Sequence, residues 1–190
     1  MGQGHRMANS TFLQQHKCDR NFFLAFVAIG WVLIFIGFAP SVTRRLTGEA
    51  DYPASMMLQA HVVVFVGWMV LLTAQVLLVR AGRRDIHRML GVAGVILIPV
   101  MVVTGIGAEI HSQRFYSPKY PENYRFFIAP LMQMLVFALC AGAAIARRRE
   151  SAAHKRLIVL ATAMALVAAT NRWWGESLYQ VFGDGFWGMI

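Results

Sequence analysis

The stretch 57-MLQAHVVVFVGWMVLLTAQVLLV-79 decides the fold. It holds no Asp, Glu, Lys or Arg and ends against Arg80. The hydrocarbon core of a bilayer, about 30 Å thick, needs roughly 20 apolar residues in helical form, since lipid offers no partner to a free backbone N–H or C=O. This stretch is long enough to cross. Inside it His61, Trp68 and Gln75 recur at a spacing of seven. At about 100° per residue they stay within about 40° of one direction, on a face shared with Phe65 and Leu72. A Gln turned toward lipid would lack a hydrogen bond, so this intramembrane polar stripe is expected to look toward neighbouring helices, where its plainest role is glue.

Working outward, four more segments have the same character: Phe22 to Pro40, Leu90 to Glu109, Phe126 to Ala146 and Leu157 to Trp174. Composition agrees. Of the 190 residues 57% are hydrophobic and only 14% charged, whereas a soluble domain sits near half apolar and about a quarter charged. Disordered, collagen-like and disulfide-scaffold classes are excluded, and two cysteines, Cys18 and Cys140, cannot build a framework. The net charge of +9 does not point to nucleic acid, because the basic residues lie between apolar spans and not on one exposed face. The sequence predicts an all-α polytopic transmembrane helix bundle with five up-and-down spans over residues 22–174. A cytoplasmic segment, 1–21, precedes it. An aromatic, Gly-containing tail, 175–190, follows; it is too short to cross and is expected to lie at the interface or to begin a truncated sixth helix.

Charge orients the spans. With the N-terminus inside, the inner segments carry Arg6, Lys17 and Arg20, then Arg80, Arg83, Arg84 and Arg88, then Arg147, Arg148, Arg149, Lys155 and Arg156. The outer segments carry only Arg44, Arg45, Arg114, Lys119, Arg125 and Arg172. A bias of about two to one in short loops favours an inside N-terminus and an outside C-terminus in a bacterial inner membrane. The first span has the basic lead-in of a secretory signal, but its apolar run is too long and no small-x-small site closes it, so an uncleaved anchor is expected. The outer loop Ser112 to Tyr124, with Phe115, Tyr116, Tyr120 and Tyr124, suits the outer interface.

The two inner loops share a layout. Arg80-Ala-Gly-Arg-Arg-Asp-Ile-His87-Arg88-Met89-Leu90 and Arg147-Arg-Arg-Glu-Ser-Ala-Ala-His154-Lys155-Arg156-Leu157 each run from basic residues to a His beside a cation and then a Leu. An internal duplication of parallel sense would produce this, and so would the orientation rule acting twice. Asp85 and Ser151 are expected to be the N-caps of the third and fifth helices.

No charged residue falls near the middle of a span, which counts against a pump or an ion-coupled transporter. The polar residues form two layers instead. The outer layer is expected to gather His61 and His111 with Glu109, Arg172 and Glu176 at one level; the inner layer holds His87 and His154. Paired imidazoles from separate helices can hold haem b or a transition metal, with Arg pairing the haem propionates. The structural alternative is helix glue for the stripe and first-turn interface histidines for the inner pair. Neither cysteine has a histidine base beside it, and no phosphate loop is present, since Gly91, Gly94, Gly105 and Gly107 lie within the third span where they suit close helix approach. Pro99 is expected to kink that span and Pro130 to help start the fourth.

His61 with Trp68 and Gln75, the H-R-x-L-G element His87-Arg88-Met89-Leu90-Gly91 and the H-K-R-L element His154-Lys155-Arg156-Leu157 resemble an uncharacterised family of small bacterial multi-pass inner-membrane proteins. The resemblance covers roughly the second to fifth spans and implies a fold and no activity. Members of that family continue into a further hydrophobic segment. A looser similarity to diheme b-type transmembrane cytochromes rests on the two histidine layers alone, and those proteins carry their ligands deeper in the helices. Three roles follow: a non-enzymatic subunit or accessory protein of a membrane complex, a b-type haem electron-transfer protein, or a small-molecule transporter. The partners expected are the lipid bilayer, anionic lipids at the inner loops, and a membrane protein complex, with no nucleic acid.

Overall fold

The computed structural model describes residues 3–116, 118–119 and 127–182; the side chains of residues 3–20, 176, 179 and 182 lie outside that description. The described residues form five helices and no strand: α1 Gln3–Leu46, α2 Met56–Arg80, α3 Arg84–Tyr116, α4 Ile128–Ala146 and α5 Ser151–Phe182. Each is long and apolar enough to cross a membrane. The fold is an all-α bundle of five membrane-spanning helices.

The boundaries of α2 and α4 match the sequence reading closely, and the others run longer. α1 passes through residue 21 without a break, and its apolar, membrane-crossing part runs from Asn21 to Leu46. α3 extends to Tyr116, which makes helix of the first part of the expected outer loop; residues 117 and 120–126 lie outside the described residues. α5 starts at Ser151 and continues through Gly175 to Phe182. The tail expected from 175 is therefore helical at its start, because one Gly inside a helix costs only about 1 kcal/mol; residues 183–190 lie outside the described residues. Pro40 and Pro99 stand inside helices. Pro130 stands in the first turn of α4, where its missing N–H has no helical partner to lose.

Local chemistry sets the turns. The Ser55 hydroxyl caps α2 by accepting from the Leu58 N–H at 3.2 Å. α2 ends in a reverse turn in which Arg83 N–H donates to Leu78 O at 2.9 Å and Gly82 N–H to Val79 O at 3.2 Å. This is the Schellman arrangement, and it needs the left-handed φ of +76° that Gly82 adopts. α1 ends in the same way through Gly48, with Glu49 N–H donating to Arg44 O at 2.8 Å.

Successive helices pack side by side, and α1 closes the ring against α5. The centre is filled by Trp68, Met69, Met101, Met134, Phe137, Ala141, Ala161 and Leu166. Small residues bring the backbones together: a Cβ at Gly37 on α1 would run into the Ala169 carbonyl of α5. Packing of this kind, not a hydrophobic drive, holds helices together in lipid. The outer surface is the reverse of a soluble one, with Phe35 69%, Val63 70%, Ile96 62% and Leu139 63% exposed. An apolar exterior around helices that satisfy their own backbone groups is the arrangement lipid demands, and these helices contact the bilayer.

Candidate functional site

The stripe on α2 faces inward along its whole length. At mid-depth the Trp68 indole N–H donates to the Thr162 hydroxyl of α5 at 3.1 Å, and the indole meets Phe137 of α4 edge-on with ring centroids 5.5 Å apart. Trp68 is 4% exposed and Thr162 fully buried. Two further bonds seal this level. Trp31 Nε1–H donates to the Thr73 hydroxyl at 3.0 Å, and Gln133 Nε2–H donates to Met164 O at 2.6 Å. Thr162, Thr73 and Gln133 were not singled out from sequence. A lone Thr or Gln in an apolar run carries no period of its own, and only the partner across the interface gives it meaning.

At the inner end α3 and α5 both begin. His87 N–H donates to Arg83 O at 3.1 Å and His154 N–H to Glu150 O at 2.9 Å, so each histidine occupies the same place in the first turn of its helix. Arg83 and Glu150 are the capping residues, and Asp85 and Ser151, expected as caps, stand inside the first turns. The Asp85 carboxylate turns back to Arg83 at 3.4 Å and also accepts from backbone N–H groups of the first turn, at Asp85 and Ile86. Gln75, the inner end of the stripe, donates from Nε2 to His87 O at 3.1 Å. His154 Nδ1 lies 2.8 Å from Ala144 O on α4. The His87 and His154 imidazoles are within electrostatic reach of each other, and Arg88 within reach of His87. Both inner-layer histidines thus stand in the first turn of a helix at the inner end.

The outer end is organised differently. The Tyr52 ring, on the α1–α2 connection, lies 5.7 Å from the His111 ring and 4.9 Å from Phe115. Arg45 stands over Tyr52 at 4.9 Å and donates to the Tyr52 carbonyl at 2.8 Å. Tyr116 OH donates to Asp51 at 3.1 Å. The loop thus folds over the end of α3. Glu109 accepts from Gln113 at 2.7 Å. Arg172 on α5 donates to Ala168 O at 3.0 Å, stands over Phe38 at 4.7 Å, and is within electrostatic reach of His61, Glu109, Tyr52 and Tyr116. The Glu176 side chain lies outside the described residues.

Gly107 faces Met57, whose Sδ would be 2.8 Å from a Cβ placed there, and Gly105 faces the Phe65 ring, whose Cζ would be 3.5 Å from such a Cβ. His111 faces Tyr52, and His61 packs on Phe65 with ring centroids 4.1 Å apart.

Five buried side-chain atoms have no partner among the described residues: His61 Nδ1, Gln75 Oε1, His87 Nδ1, His111 Nε2 and Gln113 Oε1. Each belongs to the inner or the outer layer and none to mid-depth. A buried polar atom without a partner costs about 1–3 kcal/mol, so the two ends are where a ligand, water or a second protein has something to offer. No group of three or more His, Cys, Asp or Glu among the described residues is placed to hold a metal ion. Comparison with protein-family models, with curated proteins and with solved structures finds no match.

Proposed function

We propose that the chain is an integral protein of a bacterial inner membrane, with its N-terminus inside and its C-terminus outside, that serves a larger membrane complex as a non-enzymatic subunit or accessory protein. The observation that carries this reading is the closed middle of the bundle. Trp68, Phe137, Met101 and Thr162 fill it with 4% exposure or less, and its interhelical polar groups bind one another. A carrier needs a path at that level, and an intramembrane enzyme needs a reactive group there. The inner basic loops, including Arg83, Arg84, Arg88 and Arg147 to Arg149, suit anionic lipid headgroups at about 1 kcal/mol per well-placed cation. The likeness of the H-R-x-L-G and H-K-R-L loops to the family of small inner-membrane proteins belongs to the same proposal. Gentle detergent extraction of the tagged full chain should bring down a stoichiometric membrane partner. A preparation that runs alone and carries a turnover of its own defeats the reading.

A second reading, a b-type haem protein that moves electrons, draws support from the unpartnered imidazole nitrogens at both ends and from Arg172 as a propionate partner. Its test is a reduced-minus-oxidised absorption spectrum of the purified protein. A Soret band lost in His111→Ala or His61→Ala supports it, and a colourless preparation removes it.

A further inference from the structure

We infer that the inner end of α3 binds one acidic phospholipid, whose phosphate is held between Arg84 and Arg88 and whose acyl chains lie along Val92 and Ile96. The inference deepens the lipid contact proposed above and rests on the membrane-spanning reading of α3. It does not rest on the subunit role.

The site is one stripe of one helix. Residues four apart on a helix stand one above the other on the same face, and Arg84, Arg88, Val92 and Ile96 are spaced in this way. All four are exposed, Val92 at 60% and Ile96 at 62%. On a spanning helix such open apolar side chains meet acyl chains, and the same stripe runs on inward into two guanidinium groups. Depth agrees with the spacing. Residues 89–108 hold no charged side chain and rise about 30 Å, the thickness of the hydrocarbon core. Arg88 therefore stands where the hydrocarbon ends. Arg84 lies about 6 Å further toward water, within a headgroup layer itself about 5–7 Å deep.

The two charges are uncommitted. Neither arginine makes an ion pair or a side-chain hydrogen bond among the described residues. The carboxylate of this turn, Asp85, is taken by Arg83 at 3.4 and 3.5 Å. Like charges four residues apart on a helix repel. A phosphate between them replaces that repulsion with two attractions, and a guanidinium can grip phosphate oxygens bidentately. On α5 the comparable stripe carries a single cation, Arg156, one turn from Leu160 at 53% exposure. Charge also selects the lipid. A zwitterionic headgroup brings its own cation toward the two arginines, and a headgroup of net negative charge does not. An acidic protein segment would satisfy the arginines but leave the apolar half of the stripe unused.

The test uses the full chain, delipidated in non-ionic detergent and followed by native mass spectrometry as phosphatidylglycerol or phosphatidylcholine is added. The expected result is one phosphatidylglycerol retained per chain, with an affinity at least tenfold above that for phosphatidylcholine. Affinity should fall about fivefold in Arg84→Gln and in Arg88→Gln, the usual share of one cation at a lipid surface. It should fall less than twofold in Arg148→Gln, which removes the same charge from the α4–α5 loop. Inorganic phosphate in large excess should leave the lipid in place. Equal retention of the two lipids overturns the assignment, as does equal loss in all three variants, which would reveal a diffuse field and no site. Displacement by inorganic phosphate would make the phosphate group alone the ligand and overturn the lipid. Because the isolated chain is measured, the outcome is separate from the capture of a membrane partner.

Discussion

The hydrogen bond between Trp68 and Thr162 offers the sharpest test of how this bundle is held. The two atoms are 3.1 Å apart at the centre of the ring, on helices that are not neighbours in it. Thr162→Val keeps the side-chain shape and removes the acceptor, leaving the indole N–H dry and unpaired, at a cost of about 1–3 kcal/mol. Trp68→Phe removes the donor and part of the ring stacked edge-on against Phe137, so it loses packing as well, about another 1–2 kcal/mol. The bond itself is the non-additive part. Interhelical hydrogen bonds in membrane proteins average about 0.6 kcal/mol and reach about 1.7, because the unfolded chain in the membrane also finds partners. This pair is fully enclosed, so a coupling of about 1 kcal/mol is expected. Reversible unfolding of the four proteins in mixed micelles, followed by circular dichroism, yields the double-mutant cycle. Coupling below about 0.3 kcal/mol, the scatter of independent sites, refutes the claim that this bond joins α2 to α5.

Three further outcomes follow from the same packing. Gly37→Ala places a Cβ against the Ala169 carbonyl, so α1 must move off α5; a loss of about 1–3 kcal/mol is expected in the same unfolding assay. Gly82→Ala must hold a φ of +76° and should cost about 1–2 kcal/mol, whereas Gly142→Ala, with no heavy atom within 4 Å of the added Cβ, should gain up to about 1 kcal/mol from helix propensity. Equal effects of the last two would contradict the turn geometry. Reporter fusions at Met1 and Ile190 should fall in opposite compartments, and a shared compartment would overturn the proposed five-span topology.

The spans were legible because lipid imposes a rule that local sequence alone can satisfy: enough uncharged residues in one run. That is why Met57–Val79 lands within a residue of α2 at each end. Where helices leave the hydrocarbon the rule stops applying, and hydropathy underestimates their length. α3 begins at Arg84 and α5 at Ser151, well ahead of Leu90 and Leu157, because water-exposed Arg, Ala and Lys are good helix formers that no apolar window registers. The inward aim of Trp68 and Gln75 was also legible, since a seven-residue spacing fixes a helix face whatever lies opposite.

The surroundings of the outer residues were not legible, and the reason is specific. Treating Glu109 as the end of the third span set His111 just beyond it. A carboxylate does not end a helix, however, and Glu109 is held in the helix by its bond to Gln113 one turn on. What each outer histidine touches is set by side chains that a hydropathy reading passes over, Phe65 for His61 and Tyr52 for His111. The inner histidines are easier to place, because each is counted from a helix start and not from a helix end. Both occupy the first turn after a tight loop, and short loops leave little freedom in where the next helix begins.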